Sequence, residues 1–102
     1  MKQDSGVPIL SVPALLWDGS RQLSGALELW ETRVFFRLDD FKNSHLQLGI
    51  PLSELDSVEE YMVFDLARNG LRIQSKDGRF DLFVLEEGQR FKKAVLAQMR
   101  RF

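Results

Sequence analysis

The feature that most constrains this chain is a change of hydrophobic period near residue 86. Over residues 9–85 apolar and polar residues alternate in short runs broken by turn residues; over residues 86–102 the apolar positions recur every three or four. A period of two puts alternate side chains on opposite faces of a strand, and a period near 3.6 lines them along one stripe of a helix. The chain therefore reads as short strands followed by one helix. In that helix Phe91, Val95, Met99 and Phe102, joined by Leu96, form the apolar stripe. Glu86 and Glu87 at its start and Arg100 and Arg101 at its end match the helix dipole. The open end of the preceding sheet is where the stripe is expected to be buried.

The first expected strand covers residues 9–17. Pro8 and Pro13 have no amide proton for a ladder, so this segment is expected at a sheet edge or broken in two. Asp18 and Gly19 mark a turn. Over residues 23–30, Leu23, Gly25, Leu27 and Leu29 share one face, with Ser24 and Glu28 opposite. Glu31 and Thr32 connect to residues 33–38, where Val34, Phe36 and Leu38 face one way and Arg33, Phe35 and Arg37 the other. A polar loop over residues 39–44 carries the aromatic Phe41. Alternation resumes at Leu46, Leu48, Ile50 and Leu52, and Pro51 ends the pairing. Residues 53–56 read as a single helical turn with Ser53 as N-cap.

Residues 57–68 carry two patterns at once. Leu55, Val58, Met62 and Leu66 have helical spacing, whereas Val58, Tyr61, Val63 and Phe64 are β-branched or aromatic and crowd a helix. The preferred reading is a strand with a bulge near Glu59 and Glu60 that ends at Asn69 and Gly70. A hairpin follows. Leu71, Ile73 and Ser75 alternate up to Lys76-Asp77-Gly78, and Phe80, Leu82 and Val84 alternate away from it. All of these alternating apolar residues are expected to face the core.

At 102 residues the chain suits one domain with one core, expected over residues 7–102 with residues 1–6 loose. Eight Phe, two Trp and one Tyr can fill that core. With no Cys, disulfides, Cys-based metal sites and thiol chemistry are excluded, and a reducing compartment is consistent. The first residues lack a signal-peptide pattern, and the longest apolar runs fall far short of the roughly 20 residues that cross a bilayer. A cytoplasmic protein is expected, possible at a membrane periphery. Fourteen basic residues against fifteen acidic ones argue against nucleic acid as a partner.

Seven short strands followed by one amphipathic helix is the element order of the pleckstrin-homology-like superfold, and the strands resemble its GRAM members. Those carry a Gly-x-Leu-x-Leu strand and an Arg-hydrophobic-x-Phe strand, matched by Gly25, Leu27, Leu29, Arg33, Val34 and Phe36. Ile50, Pro51, Leu52 and Leu55 match their Ile-Pro-Leu segment, and residues 69–73 and 80–84 match the last two strands. The resemblance covers about residues 15–96. In one departure Thr32 stands directly before Arg33 where the family often has Thr-x-x-Arg, which alters the turn by one or two residues. The resemblance implies a mainly β fold with one C-terminal α-helix, a partly open barrel of about seven antiparallel strands capped by that helix. It also implies binding of protein or lipid, with no cofactor and no catalysis.

The residues support the same emphasis. His45 is the one histidine and lies beside Ser44 in a polar loop, without the geometry of an activated nucleophile. The pairs Asp39-Asp40, Glu59-Glu60 and Glu86-Glu87 lack metal-ligand spacing and read as solvated surface. The connection over residues 18–24 offers Arg21 alone, so the inositol-phosphate pocket of lipid-binding relatives is not carried over. Two surfaces remain. If the alternating residues face inward, Trp30, Phe35, Phe83 and Leu85 face outward and mark a protein-interaction or self-association surface. The alternative is an anionic-lipid surface on the helix, formed by Arg90, Lys92, Lys93, Arg100 and Arg101, each contributing about 1 kcal/mol near an anionic membrane.

Overall fold

The computed structural model describes residues 6–18, 21–39, 48–63 and 68–101, with Asp18, Met62, Val63, Arg68 and Asn69 described by backbone alone. Seven antiparallel strands form one open sheet: β1 (Leu10–Asp18), β2 (Arg21–Leu29), β3 (Arg33–Leu38), β4 (Leu48–Pro51), β5 (Leu55–Val63), β6 (Arg68–Ser75) and β7 (Phe80–Val84). A 3-10 turn (Leu52–Glu54) joins β4 to β5, and the helix α1 (Gly88–Met99) follows β7. The order across the sheet is β4-β3-β2-β1-β7-β6-β5. The mainly β architecture with one closing helix is as expected.

The core face follows the alternation of β2, β3 and β6. Leu27, Leu29, Val34, Phe36, Leu71 and Ile73 are buried together, with Leu23 and Leu38 packed against them. The rings of Phe36 and Phe83, 5.4 Å apart at 50°, bring β3 and β7 together across the core. From α1, Phe91 and Val95 are fully buried and Met99 packs against the cluster. Leu96 departs from the expected stripe and stands 36% exposed; Phe102 lies outside the described residues.

Several local expectations need correction. β1 is unbroken and central: it pairs with β2 along its whole length and with β7 through Leu15, Leu16 and Trp17. Pro13 is accommodated because it precedes the β7 pairing, where the missing amide costs no ladder bond on that side. The turn after β4 takes Pro51, not Ser53, as its N-cap, and Leu55 already belongs to β5. Residues 55–63 are a strand, but its irregularity falls between Leu55 and Ser57 instead of at Glu59 and Glu60. Asn69 and Gly70 lie inside β6, opposite Met62 and Tyr61. The short Glu31-Thr32 connection closes as a tight turn in which the Trp30 amide donates to the Arg33 carbonyl at 2.8 Å.

The hairpin between β6 and β7 forms where Asp77 and Gly78 predict it. Gly78 takes φ +93, and the Ser75 amide donates to the Arg79 carbonyl at 2.8 Å. The phase of β7 is nevertheless opposite to expectation. Leu71 pairs with Phe83, Arg72 with Leu82 and Gln74 with Phe80. Directly paired residues share a face, so Phe83 joins Leu71 in the core and Phe80, Leu82 and Val84 lie outside. Phe83 is 1% exposed and Phe80 50%.

Candidate functional site

The outer face of the sheet has two parts of different character. On β2 and β3, Glu28 is buried although it faces outward. Its carboxylate accepts from the Trp30 indole N–H at 3.0 Å and from Arg37 Nε at 3.2 Å. The Arg33 guanidinium lies over the Trp30 and Phe35 rings at 5.6 and 5.2 Å, and Arg37 covers Phe35 at 5.3 Å. Phe35 sits opposite Gly49 on β4. This part is closed by its own cation–π and charged hydrogen bonds.

Three of the four residues expected to form an apolar contact surface are therefore buried. Phe83 and Leu85 belong to the core, because the β7 register turns them inward. Trp30 lies beyond the end of β2 with its indole tied to Glu28 and Arg33 above it. Phe35 does face outward, half-buried between its two arginines.

An apolar outer surface is present on the other part. Three cross-strand rows define it. Leu15, Val84, Gly70 and Tyr61 make the first; Trp17, Leu82, Arg72 and Glu59 the second; Phe80, Gln74 and Ser57 the third. Their neighbours Ala14, Leu16, Leu71, Ile73 and Phe83 point into the core, which places these rows outside. The Tyr61 ring lies over Gly70, where an added Cβ would come within 2.5 Å of it, and burial raises the Tyr61 hydroxyl pKa above its ordinary value. Val84 is buried yet stands apart from the core cluster. The Arg72 guanidinium stacks on Phe80 at 4.5 Å and reaches Glu59 at 3.7 Å. The buried indole N–H of Trp17 has no hydrogen-bond partner. No alternation rule pointed to this patch, because Phe80, Leu82 and Val84 read equally well as core.

Beside the first row opens a cleft of about 540 Å³, lined in part by Pro13, Leu15, Ser24, Asp39, Glu86 and Glu87. Its carboxylates have local partners: the Ser24 hydroxyl donates to Asp39 at 3.0 Å, and Glu87 accepts from Arg90 at 2.8 Å.

The basic residues of α1 do not act as one cluster. Lys92 turns toward β5, 4.0 Å from Glu60, while Arg90 is paired with Glu87. Lys93, Arg100 and Arg101 are exposed. His45 lies outside the described residues, as does Asp40. Among the described residues no group of His, Cys, Asp or Glu is placed to hold a metal ion, and no helix is long and apolar enough to cross a membrane.

Comparison with known proteins places the fold. Solved structures resemble this chain over most of both lengths, among them two that follow. The C-terminal domain of an unknown protein from Leishmania infantum superposes with TM-score 0.77 at 10% identity, covering 91% of this chain and 84% of that one. The Vps36 N-terminal PH domain superposes with TM-score 0.71 at 21% identity, covering 93% and 80%. The fold is therefore pleckstrin-homology-like. No family model and no curated protein matches the sequence.

Proposed function

We propose that this chain is a non-catalytic interaction module of the GRAM type that takes a protein partner on the outer face of β1, β7 and β6. The observation that supports this is the half-exposed Phe80, continuous with Leu82 and Trp17 on the outside of an open sheet. Large contiguous apolar groups on an outer face mark contact surfaces. The GRAM assignment rests on the order of Gly25, Leu27, Leu29, Arg33, Phe36, Ile50, Pro51 and Leu52 along the pleckstrin-homology-like fold. The module would work in the cytoplasm.

The test is photo-crosslinking in the host cell, with a photoreactive residue at position 80 and a control at position 93. A protein adduct at 80 and none at 93 is expected; the absence of any protein adduct at 80 would remove the reading.

A second reading is favoured by the exposed side of α1, where Arg90, Lys93, Arg100 and Arg101 accompany the exposed Leu96. That surface would contact anionic lipid. Salt-sensitive sedimentation with anionic vesicles, lost in a Lys93→Glu, Arg100→Glu variant, would support it. The ion pairs of Lys92 and Arg90 weaken this surface relative to the sequence expectation.

A further inference from the structure

We propose that the open edge of β5 takes an extended, basic segment of a partner protein as an added strand. This contact is separate from the outer surface of β1, β7 and β6. β5 stands at one end of the sheet and pairs with β6 alone among the described residues. The hydrogen bonds fix which of its main-chain groups are open. The Ser75 amide donates to the Arg79 carbonyl at 2.8 Å, beside the Gln74–Phe80 pair, so the N–H and C=O of Gln74 turn toward β5. Ser57, Glu59 and Tyr61, opposite Gln74, Arg72 and Gly70, therefore bond to β6. Val58 and Glu60, between them, direct their N–H and C=O outward, where a further strand can pair with them.

The other end of the sheet lacks this provision. The Leu52 amide donates to the Thr32 carbonyl at 2.9 Å, beside the Arg33–Pro51 pair, so Gly49 and Pro51 are the outward residues of β4. β4 is four residues long and Pro51 has no N–H to offer, which blunts that edge. β5 is nine residues long and contains no proline.

Charge selects the occupant. β5 carries Asp56, Glu59 and Glu60, all exposed, and no basic residue. Arg72 and Lys92 approach Glu59 and Glu60 at 3.7 and 4.0 Å, whereas Asp56 has no ion pair among the described residues. A second β5 would set these carboxylates against their own kind, so pairing of two copies along this edge is disfavoured. A segment with lysine or arginine meets the surplus charge instead. Lys92 and Leu96, four residues apart, share one side of α1, and Lys92 reaches Glu60; the exposed Leu96 therefore stands on the flank of the helix beside this edge. In an added strand, side chains turned toward α1 would meet Leu96, and those turned to the outer face would meet Glu59. The occupant thus alternates apolar and basic residues.

Amide exchange followed by NMR on the full chain tests this, with a synthetic peptide of alternating lysine and valine as the probe. In the chain alone the Val58 and Glu60 amides are expected to exchange fast and those of Glu59 and Tyr61 slowly. Saturating peptide is expected to slow Val58 and Glu60 about tenfold or more. The same peptide with glutamate for lysine, or with every amide N-methylated, is expected to bind at least about tenfold more weakly. Glu60→Pro removes an outward N–H while sparing the β6 ladder, and is expected to weaken binding by at least about tenfold. Glu60→Gln keeps that N–H and is expected to stay within about fivefold of the wild type.

Circular dichroism checks that each variant keeps its sheet; should Glu60→Pro lose it, the methylated peptide probes the same main-chain bonds. Exchange at Val58 and Glu60 that the lysine peptide leaves unchanged overturns the proposal. So does equal binding of the glutamate or methylated peptide, or slow exchange of both amides in the chain alone.

Discussion

The two parts of the outer face treat their bulky side chains differently. On β2 and β3 each aromatic has a polar lid: Trp30 gives its N–H to Glu28, and Phe35 lies under Arg33 and Arg37. On β1 and β7 the covering is partial: Arg72 stacks on Phe80 yet leaves it half exposed, and the buried Trp17 N–H has no acceptor. The first arrangement is complete within the fold. The second leaves apolar surface that another molecule can cover, and this difference locates the proposed interface.

The sharpest test of this division compares two phenylalanines three residues apart on β7. Phe83→Ala empties a fully buried site against Phe36 and is expected to cost about 3–5 kcal/mol by chemical denaturation. Phe80→Ala is expected to cost far less, within about 1 kcal/mol. Equal losses would mean that the assigned faces of β7 are wrong.

Glycine substitutions next contrast the core face, at Gly25, with the outer face, at Gly70. A Cβ at Gly25 would run into the Arg37 backbone carbonyl and the Phe36 ring, so Gly25→Ala is expected to cost about 1–3 kcal/mol. At Gly70 the obstacle is the Tyr61 side chain, which can swing away from the outer face. Gly70→Ala is therefore expected to destabilise less, and to change Tyr61 fluorescence or its ring NMR shifts.

The two tryptophans give a smaller contrast. Trp30→Phe removes a donor from a buried carboxylate, an expected cost of about 1–3 kcal/mol. Trp17→Phe loses no hydrogen bond and is expected to change stability less in the isolated chain. A larger loss at Trp17 would show that its indole has an acceptor after all.

The smallest expected effect is in alkaline titration. Burial raises the folded-state pKa of Tyr61, so the folded chain holds this proton more tightly than the unfolded chain does. Its contribution to stability is intact below the unfolded tyrosine pKa near about 10 and declines as pH rises through and above it. Tyr61→Phe should flatten that component of the high-pH melting curve.

Much of the architecture was legible because one face of most strands is distinctly apolar. Leu27 and Leu29 flank Glu28, Val34 and Phe36 lie between Arg33 and Arg37, and Leu71 and Ile73 flank Arg72, so period two assigns them inward. The Asp77-Gly78 turn and the Phe91, Val95 stripe are local signals of the same kind. The proposed interaction surface was not legible in the same way. Trp30, Phe83 and Leu85 were expected outside and are buried, whereas Phe80, Leu82 and Val84 were expected inside and line the outer face.

Residues 82–85 are apolar on both sides of the strand, and the polar residue of β7, Asp81, belongs to the set with Phe83 and Leu85 that enters the core, so alternation identifies two sets of residues and favours the wrong one. The choice is made by pairing: Gln74 stands opposite Phe80, and the five residues 75–79 close the loop in that register. A shift of one residue would exchange the two sets. The sequence by itself thus determined the kinds of element, their order and the core face of the strands with one polar side. Only the tertiary structure decided the phase of β7, the central place of β1 and the covering of Trp30. The place of β1 depends on pairing with the distant β7, while the phase of β7 and the covering of Trp30 depend on turn register and side-chain geometry that a period of two does not record.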